Sequence, residues 1–294
     1  MKNPFKGIPS IRMIEDEPLA DHTSFHIGGK ARFFVCVYTK KALIRVLQRI
    51  DKNRLPYFVL GAGTNILVAD SGFPGVVLKL GGIFKRISWR GVLARCGGGV
   101  MIRDFLEDSK EKGYGGGEFL AGIPGTIGGA VKGNAGAFGC SIADMAIRVS
   151  VVGGDGKEHI LSRSDLGFTY RSSNIKNGCT VIAADLVMIL DTRTSIQKRI
   201  DENLKKRMER HPAGYSAGSF FKNPPGHAAG KLIEMCGLKG IAVGDAVVSE
   251  KHGNYIINRG RAKAADVIAL ADRIKRAVFK KTGIQLEEEV RLLG

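Results

Sequence analysis

No apolar run in this chain approaches the roughly 18 residues of a membrane-spanning helix, and even Val181 to Leu190 is interrupted by Asp185. A membrane span is therefore not expected. Nor is Met1-Lys2-Asn3-Pro4-Phe5-Lys6 followed by the continuous apolar segment of a secretory signal, which points to a cytoplasmic location. Cysteine is scarce: the 5 residues, Cys36, Cys96, Cys140, Cys179 and Cys236, are odd in number and never form Cys-x-x-Cys. That argues against a zinc site and against a disulfide framework, so no metal is expected and the thiols read as reduced, mostly buried small hydrophobes. Two nucleotide motifs are missing as well. Gly61-Ala62-Gly63-Thr64-Asn65-Ile66 lacks the third glycine of a Rossmann fingerprint, which disfavours a dehydrogenase of that type, and no Gly-Lys pair stands in a Walker A loop. The densest basic run, Lys198 to Arg210, has no interleaved aromatics for stacking bases. With Leu204 and Met208 at i, i+4 it reads as a charged helix face.

Glycine and positive charge are what the chain has in excess. Its 294 residues, 44% of them hydrophobic, are enough for two or so domains with sizeable cores. The 40 glycines exceed the usual share of about 7% and cluster in loops, where they allow close backbone approach. The formal charge of +17 favours a polyanionic partner: nucleic acid, an anionic membrane surface or a phosphate-bearing small molecule. Charge alone does not choose among them.

Along the chain, a β-rich run from Ala31 to Tyr38 precedes a helical pattern at Leu43, Val46, Leu47 and Ile50. Tyr57-Phe58-Val59-Leu60 then enters Gly61, completing a β-α-β unit. Strand signals follow at Val76 to Leu80 and Gly91 to Cys96, then a helix through Ile102, Phe105 and Leu106. Further strands are expected at Ala146 to Val152, His159 to Leu161 and Thr180 to Leu190, with a hairpin turn at Gly153-Gly154-Asp155-Gly156. After Asp191 the composition turns charged and helical, which marks a boundary near residue 195. A last helix spans about Lys263 to Thr282, with Val267, Leu270, Ala271, Ile274 and Val278 on one face and Gly283 as its stop.

Three segments carry chemistry. Leu60-Gly61-Ala62-Gly63-Thr64-Asn65 and Ala121-Gly122-Ile123-Pro124-Gly125-Thr126-Ile127-Gly128-Gly129-Ala130 offer backbone amides of the kind phosphates require, and two such loops can clamp one pyrophosphate from opposite sides. Gly218-Ser219-Phe220-Phe221-Lys222-Asn223-Pro224 places a hydroxyl, a cation and an amide on one short apolar stretch. Phe220 and Phe221 anchor it, and capping alone does not account for Ser219 and Asn223. A dinucleotide beside a serine site is the picture these segments draw.

At this point the chain resembles the UDP-N-acetylenolpyruvoylglucosamine reductases, flavoenzymes that complete UDP-N-acetylmuramate for bacterial peptidoglycan. The resemblance runs over nearly the whole length. It rests on Thr23-Ser24-Phe25-His26-Ile27-Gly28-Gly29, the two glycine loops, Tyr170-Arg171-Ser172-Ser173, Ala217-Gly218-Ser219-Phe220-Phe221-Lys222-Asn223-Pro224 and Glu289-Val290-Arg291, in family order. The short path from Tyr170-Arg171 to the serine segment resembles the family's type II members. Gly133, Asp245 and Gly253 depart from the usual family residues at their positions.

The resemblance implies an α+β protein. An FAD-binding domain of the vanillyl-alcohol-oxidase type, with two α+β subdomains split near 80–85, would occupy 1–195, and an α+β substrate domain 196–294. It implies non-covalent FAD, NADPH as co-substrate, a UDP-sugar substrate and no nucleic acid. FAD would be held by Gly61, Ala62, Gly63, Thr64 and Asn65, by Gly122, Ile123, Pro124, Gly125, Thr126, Gly128, Gly129 and Ala130, and by Asn134, Gly136 and Ala137. Arg171 and Glu289 match the pair that stabilises charge on the substrate, with Glu289 protonated, hydrogen-bonded or acting through Arg171. Ser219 matches the proton donor, while Tyr170, Lys222 and Asn223 are candidates for contact with substrate or cofactor. Two rival readings are an oxidase of the same flavin fold and a basic nucleic-acid-binding protein. The first would often attach FAD through a histidine or cysteine where Asn65 stands, and the second leaves both phosphate loops unexplained.

Overall fold

The computed structural model describes residues 3–294. The chain opens with strands β1 (Ile11–Pro18) and β2 (Lys30–Val37), followed by helix α1 (Lys40–Lys52). Thr39 starts α1 by accepting the Ala42 N–H at 3.2 Å, and Leu43, Val46, Leu47 and Ile50 are buried along one face. Strands β3 (Tyr57–Leu60), β4 (Ile66–Val68) and β5 (Phe73–Leu80) come next. The first sheet has the order β1-β2-β5-β3, with β3 parallel to β5 in the register Tyr57↔Val76.

The second sheet contains β6 (Ile87–Arg90), β7 (Leu93–Gly97), β8 (Ala146–Val152), β9 (Glu158–Ser162) and β10 (Thr180–Val187), in the antiparallel order β9-β8-β10-β7-β6. Strand β6 adds to the sequence reading, which starts this sheet only at Gly91. Its short run, Ile87-Ser88-Trp89-Arg90, alternates half-buried and exposed residues and gains stability by pairing with β7. Asp185, the residue that breaks the apolar run of β10, is 1% exposed and clamped by Arg95 at 2.8 Å and Arg148 at 2.6 Å. Helices α2 (Ile102–Glu111) and α3 (Ile127–Lys132) lie between β7 and β8 in the chain.

Helix α4 (Arg193–Arg210) buries only Ile196, with Ile200 and Leu204 half-packed behind it. Met208, expected on that stripe, is 75% exposed, so the apolar row ends one turn earlier than its spacing suggests. The remainder contains α5 (Ala229–Met235), strands β11 (Ala246–Val248) and β12 (Ile256–Asn258), helix α6 (Ala264–Thr282) and β13 (Arg291–Leu293). Gly283 ends α6 at φ +72, a left-handed conformation that costs glycine nothing. Strand β13 pairs in parallel with β4, Arg291 opposite Ile66, a long-range pairing with no local signal.

The chain divides into two compact units. The first comprises the segment ending at Glu15, Phe33–Ala62 and Gly75–Lys206; the second comprises Asp16–Arg32, Gly63–Pro74 and Arg207–Gly294. Within the first unit one apolar cluster gathers α1 with β2 and β5, and another gathers α2, α3 and the second sheet. The second unit has one cluster, built on α5, α6 and β11 and including Phe25, Ile27 and Leu67 from early in the chain. Cys96 is the one fully buried cysteine, while Cys36, Cys179 and Cys236 are half-buried and Cys140 is exposed. The expectation of mostly buried thiols fails because only Cys96 sits on an inward position of a central strand.

Candidate active site

In the second unit, residues 219–222 run as an extended segment between two others. On one side Ser219 faces Tyr255, and the Phe220 N–H donates to the Asn254 carbonyl at 2.8 Å. Asn254 clamps Phe221 in both directions, its Oδ1 accepting from the Phe221 N–H at 2.9 Å and its Nδ2 donating to the Phe221 carbonyl at 2.8 Å. On the other side the Glu289 N–H donates to the Phe220 carbonyl at 2.8 Å, and the Lys222 N–H to the Glu287 carbonyl at 2.8 Å. Phe220 and Phe221, 4% and 1% exposed, peg the segment into the core. Ser219 and Glu289 are thus tied to adjacent points of one backbone ladder, both half-buried.

Asn65 holds that ladder from a third side. Its Nδ2 donates to the Glu289 carbonyl at 3.1 Å, and its own carbonyl accepts the Arg291 N–H at 3.2 Å. The side chain is therefore engaged with the Glu289 backbone. Lys222 pairs with Glu287 at 3.1 Å. Asn223, read as beyond capping, caps a helix after all: its Oδ1 accepts the Ala229 N–H of α5 at 3.0 Å. The cap lies six positions from the helix start, outside the local patterns by which caps are read from sequence. Asp245, a departure from the family, is structural, accepting the Arg261 N–H at 3.0 Å.

Arg171 lies in the first unit, at the tip of a two-residue turn closed by reciprocal hydrogen bonds of 3.1 and 3.2 Å between Thr169 and Ser172. Its φ of +55 is the left-handed conformation that costs a non-glycine residue about 1 kcal/mol. The guanidinium stands 5.1 Å from the ring centroid of exposed Tyr170. Two bonds fasten this turn to the end of α3: Asn134 Nδ2 donates to the Thr169 carbonyl at 2.9 Å, and Ser173 Oγ to the Lys132 carbonyl at 2.8 Å.

The glycine loops meet at Gly61, where a Cβ would lie 2.8 Å from Thr126 Oγ1. A Cβ on Gly128 would lie 2.7 Å from the Gly98 carbonyl. The amides of Ile127, Gly128 and Gly129 are already committed, to Val100, Gly98 and Thr126 Oγ1. Those of Gly122, Gly125 and Thr126 have no protein acceptor among the described residues. The amide supply is thus narrower than the sequence suggests and sits in the loop before α3. A close-packed backbone with uncommitted amides fits a pyrophosphate. In the first loop, Gly61 and Ala62 fall in the first unit and Gly63, Thr64 and Asn65 in the second, with Gly63 at φ +69 against the His22 carbonyl.

Family models match two parts of the chain: an FAD binding domain over residues 31–162, and the C-terminal domain of UDP-N-acetylenolpyruvoylglucosamine reductase over residues 189–293. UDP-N-acetylenolpyruvoylglucosamine reductase 2 of Symbiobacterium thermophilum is 42% identical over 286 residues, covering 96% of this chain and 92% of the relative. The chain belongs to the UDP-N-acetylenolpyruvoylglucosamine reductase family. The Moorella thermoacetica reductase is 40% identical, covering 97% and 94% of the two chains. The crystal structure of the Thermus caldophilus reductase superposes with a TM-score of 0.84 at 36% identity, covering 97% of this chain and 99% of that one. As a member of this family the protein is an FAD-dependent oxidoreductase. Its α+β fold extends to more distant flavoproteins. 6-Hydroxy-D-nicotine oxidase from Arthrobacter nicotinovorans matches at TM-score 0.51 and 20% identity over 65% of this chain and 44% of its own, a likeness of fold alone.

Sequence reasoning passed over Tyr255 and His211. Their signal is weak because neither belongs to a recognised segment: Tyr255 faces Ser219 across a strand pairing, and His211 Nδ1 meets the Tyr255 hydroxyl, 44 positions away in the chain.

Proposed function

We propose that the chain reduces the enolpyruvyl group of UDP-N-acetylglucosamine enolpyruvate to give UDP-N-acetylmuramate, with NADPH as the hydride donor. The observation that carries this reading is the backbone ladder that holds Ser219 beside Glu289 in a chain of this family. Bound FAD would supply the hydride chemistry that links NADPH to the substrate β-carbon. Everything else falls to the protein. The pyrophosphate of the cofactor would be held by Gly61 to Asn65 and by Gly122 to Ala130, chiefly through the amides of Gly122, Gly125 and Thr126. Charge develops on the substrate α-carbon and its carboxylate, which Arg171 holds through a planar fork that lysine lacks. Glu289 serves as a protonated hydrogen-bond donor, because a second negative charge there would oppose the first. Ser219 delivers its proton to the α-carbon.

In this reading residues 1–195 bind FAD and residues 196–294 bind substrate, with Tyr170, Lys222 and Asn223 at its edges. The charge of +17 draws FAD, NADPH and the UDP-sugar, all polyanions. Both small-molecule partners are cytoplasmic pools, and the product feeds the wall that sets cell shape and division. Anaerobic stopped-flow absorbance tests the assignment. NADPH should bleach the flavin of wild type and of Ser219→Ala alike, and the enolpyruvyl substrate should restore its colour rapidly only in wild type. Equal loss of both half-reactions in Ser219→Ala would remove serine as the donor. Near-full recovery of colour in Glu289→Gln is the expected mark of a neutral donor at that position.

A further inference from the structure

Three side chains outside the family segments converge on Ser219 within the second unit. Tyr255 is 7% exposed and lies directly opposite Ser219, so the two side chains share one face of the pairing. Its phenol feels the serine hydroxyl across the pairing and the charges of Arg207 and Glu289. The same phenol oxygen meets Nδ1 of His211, whose ring stands edge-on to it with centroids 5.2 Å apart. His211 is fixed by its own N–H, which donates to the Arg207 carbonyl at 2.8 Å. His252 closes the cluster 5.1 Å from the Tyr255 ring, and its Nδ1 accepts the Asn254 N–H at 3.1 Å, which puts its proton on Nε2. Burial, with the charges of Arg207, His252, Arg210 and Lys251, pushes His211 down to about 4, so it is neutral at pH 7. Burial raises the Tyr255 phenol, which keeps its proton there.

We propose that His211, Tyr255 and Ser219 form a proton relay: His211 Nδ1–H donates to Tyr255, Tyr255 O–H donates to Ser219 Oγ, and the Ser219 proton is left aimed at the substrate. The inference rests on Ser219 being the proton donor. When the Ser219 O–H bond breaks and the new C–H bond forms, the Tyr255 proton moves to Ser219. The negative charge passes to the phenol oxygen, where the His211 N–H and the Arg207 guanidinium stabilise it. A solvent proton restores the phenol after product leaves, so no other co-reactant is needed. Serine is a weak acid, and spreading its charge over a second oxygen lowers the barrier to giving up its proton. Tyr255 and His211 act through Ser219 and are positioning residues.

The test uses the FAD-loaded protein and follows substrate-driven flavin reoxidation in Tyr255→Phe, His211→Asn, His211→Ala, Ser219→Ala and the double variant Ser219→Ala/Tyr255→Phe. Retained FAD and bleaching by NADPH show that each variant is folded. Tyr255→Phe is expected to slow reoxidation by about 10- to 100-fold with substrate affinity within about twofold of wild type. In mixed H2O and D2O the rate should change from a curved dependence on deuterium, two protons in flight, to a straight line. Asn at position 211, which can donate where Nδ1–H does, should be less impaired than Ala. The double variant should be no slower than Ser219→Ala alone. A full-speed Tyr255→Phe beside a slow Ser219→Ala would overturn the relay and leave the serine assignment standing. A full-speed Ser219→Ala would overturn the serine assignment itself.

Discussion

Asn134 makes two hydrogen bonds with one amide, donating to the Thr169 carbonyl at 2.9 Å and accepting the Ala143 N–H at 3.1 Å, while its own backbone sits at φ +42. Placed among the FAD contacts by resemblance, its side chain is spent on protein and secures the turn that carries Arg171. Asn134→Ala would strip two hydrogen bonds from a residue 7% exposed and place a less tolerant residue in a left-handed conformation. The expected cost is about 2–4 kcal/mol in chemical denaturation, with Asn134→Gly about 1 kcal/mol milder because glycine accepts the backbone angle. Both variants should lose more of the substrate half-reaction than of the NADPH half-reaction, measured by stopped flow, because both loosen the Arg171 turn.

Glycine decides matters at the scale of the elements as well. Gly128 opens α3 with a site where a Cβ would stand 2.7 Å from the Gly98 carbonyl, and neither backbone has room to yield. Gly133 ends the same helix with its nearest contact at 3.4 Å and a φ of −94, open to any residue. Gly128→Ala should therefore shed flavin on purification and lower the melting temperature, an overpacking cost of about 1–3 kcal/mol, while Gly133→Ala keeps both. The flavin-to-protein absorbance ratio reads the difference. Elements of this kind were legible in order: α1, α6 and the turn at Gly153 to Gly156 announce themselves by period, cap and glycine spacing. Strands β6 and β13 were not, since segments of only three or four residues become strands only when a partner elsewhere supplies the hydrogen bonds.

For the whole molecule, the buried imidazole cluster couples stability to pH. His211 takes up its proton near 6.5 in the unfolded chain and near 4 in the folded one, so stability falls as pH drops from about 6.5 toward 4. His252 is lowered too, chiefly by burial, and adds in the same direction. Partial exposure to solvent limits the His211 contribution to on the order of 1–2 kcal/mol. Thermal melts between pH 7.5 and 4.5 should show a gentler loss in His211→Gln than in wild type; parallel curves would refute the assignment. The sequence by itself determined the family, the order of most elements, the apolar faces that become the cores, and Arg171, Ser219 and Glu289 as the residues to examine, because each depends on neighbours within a few positions or on a whole segment matching. Tertiary structure alone decided that Asn65 grips Glu289, that Asn134 steadies Arg171, and that Tyr255 and His211 stand behind Ser219. Those contacts join residues 35, 44 or 224 positions apart, and no local rule of spacing reaches so far.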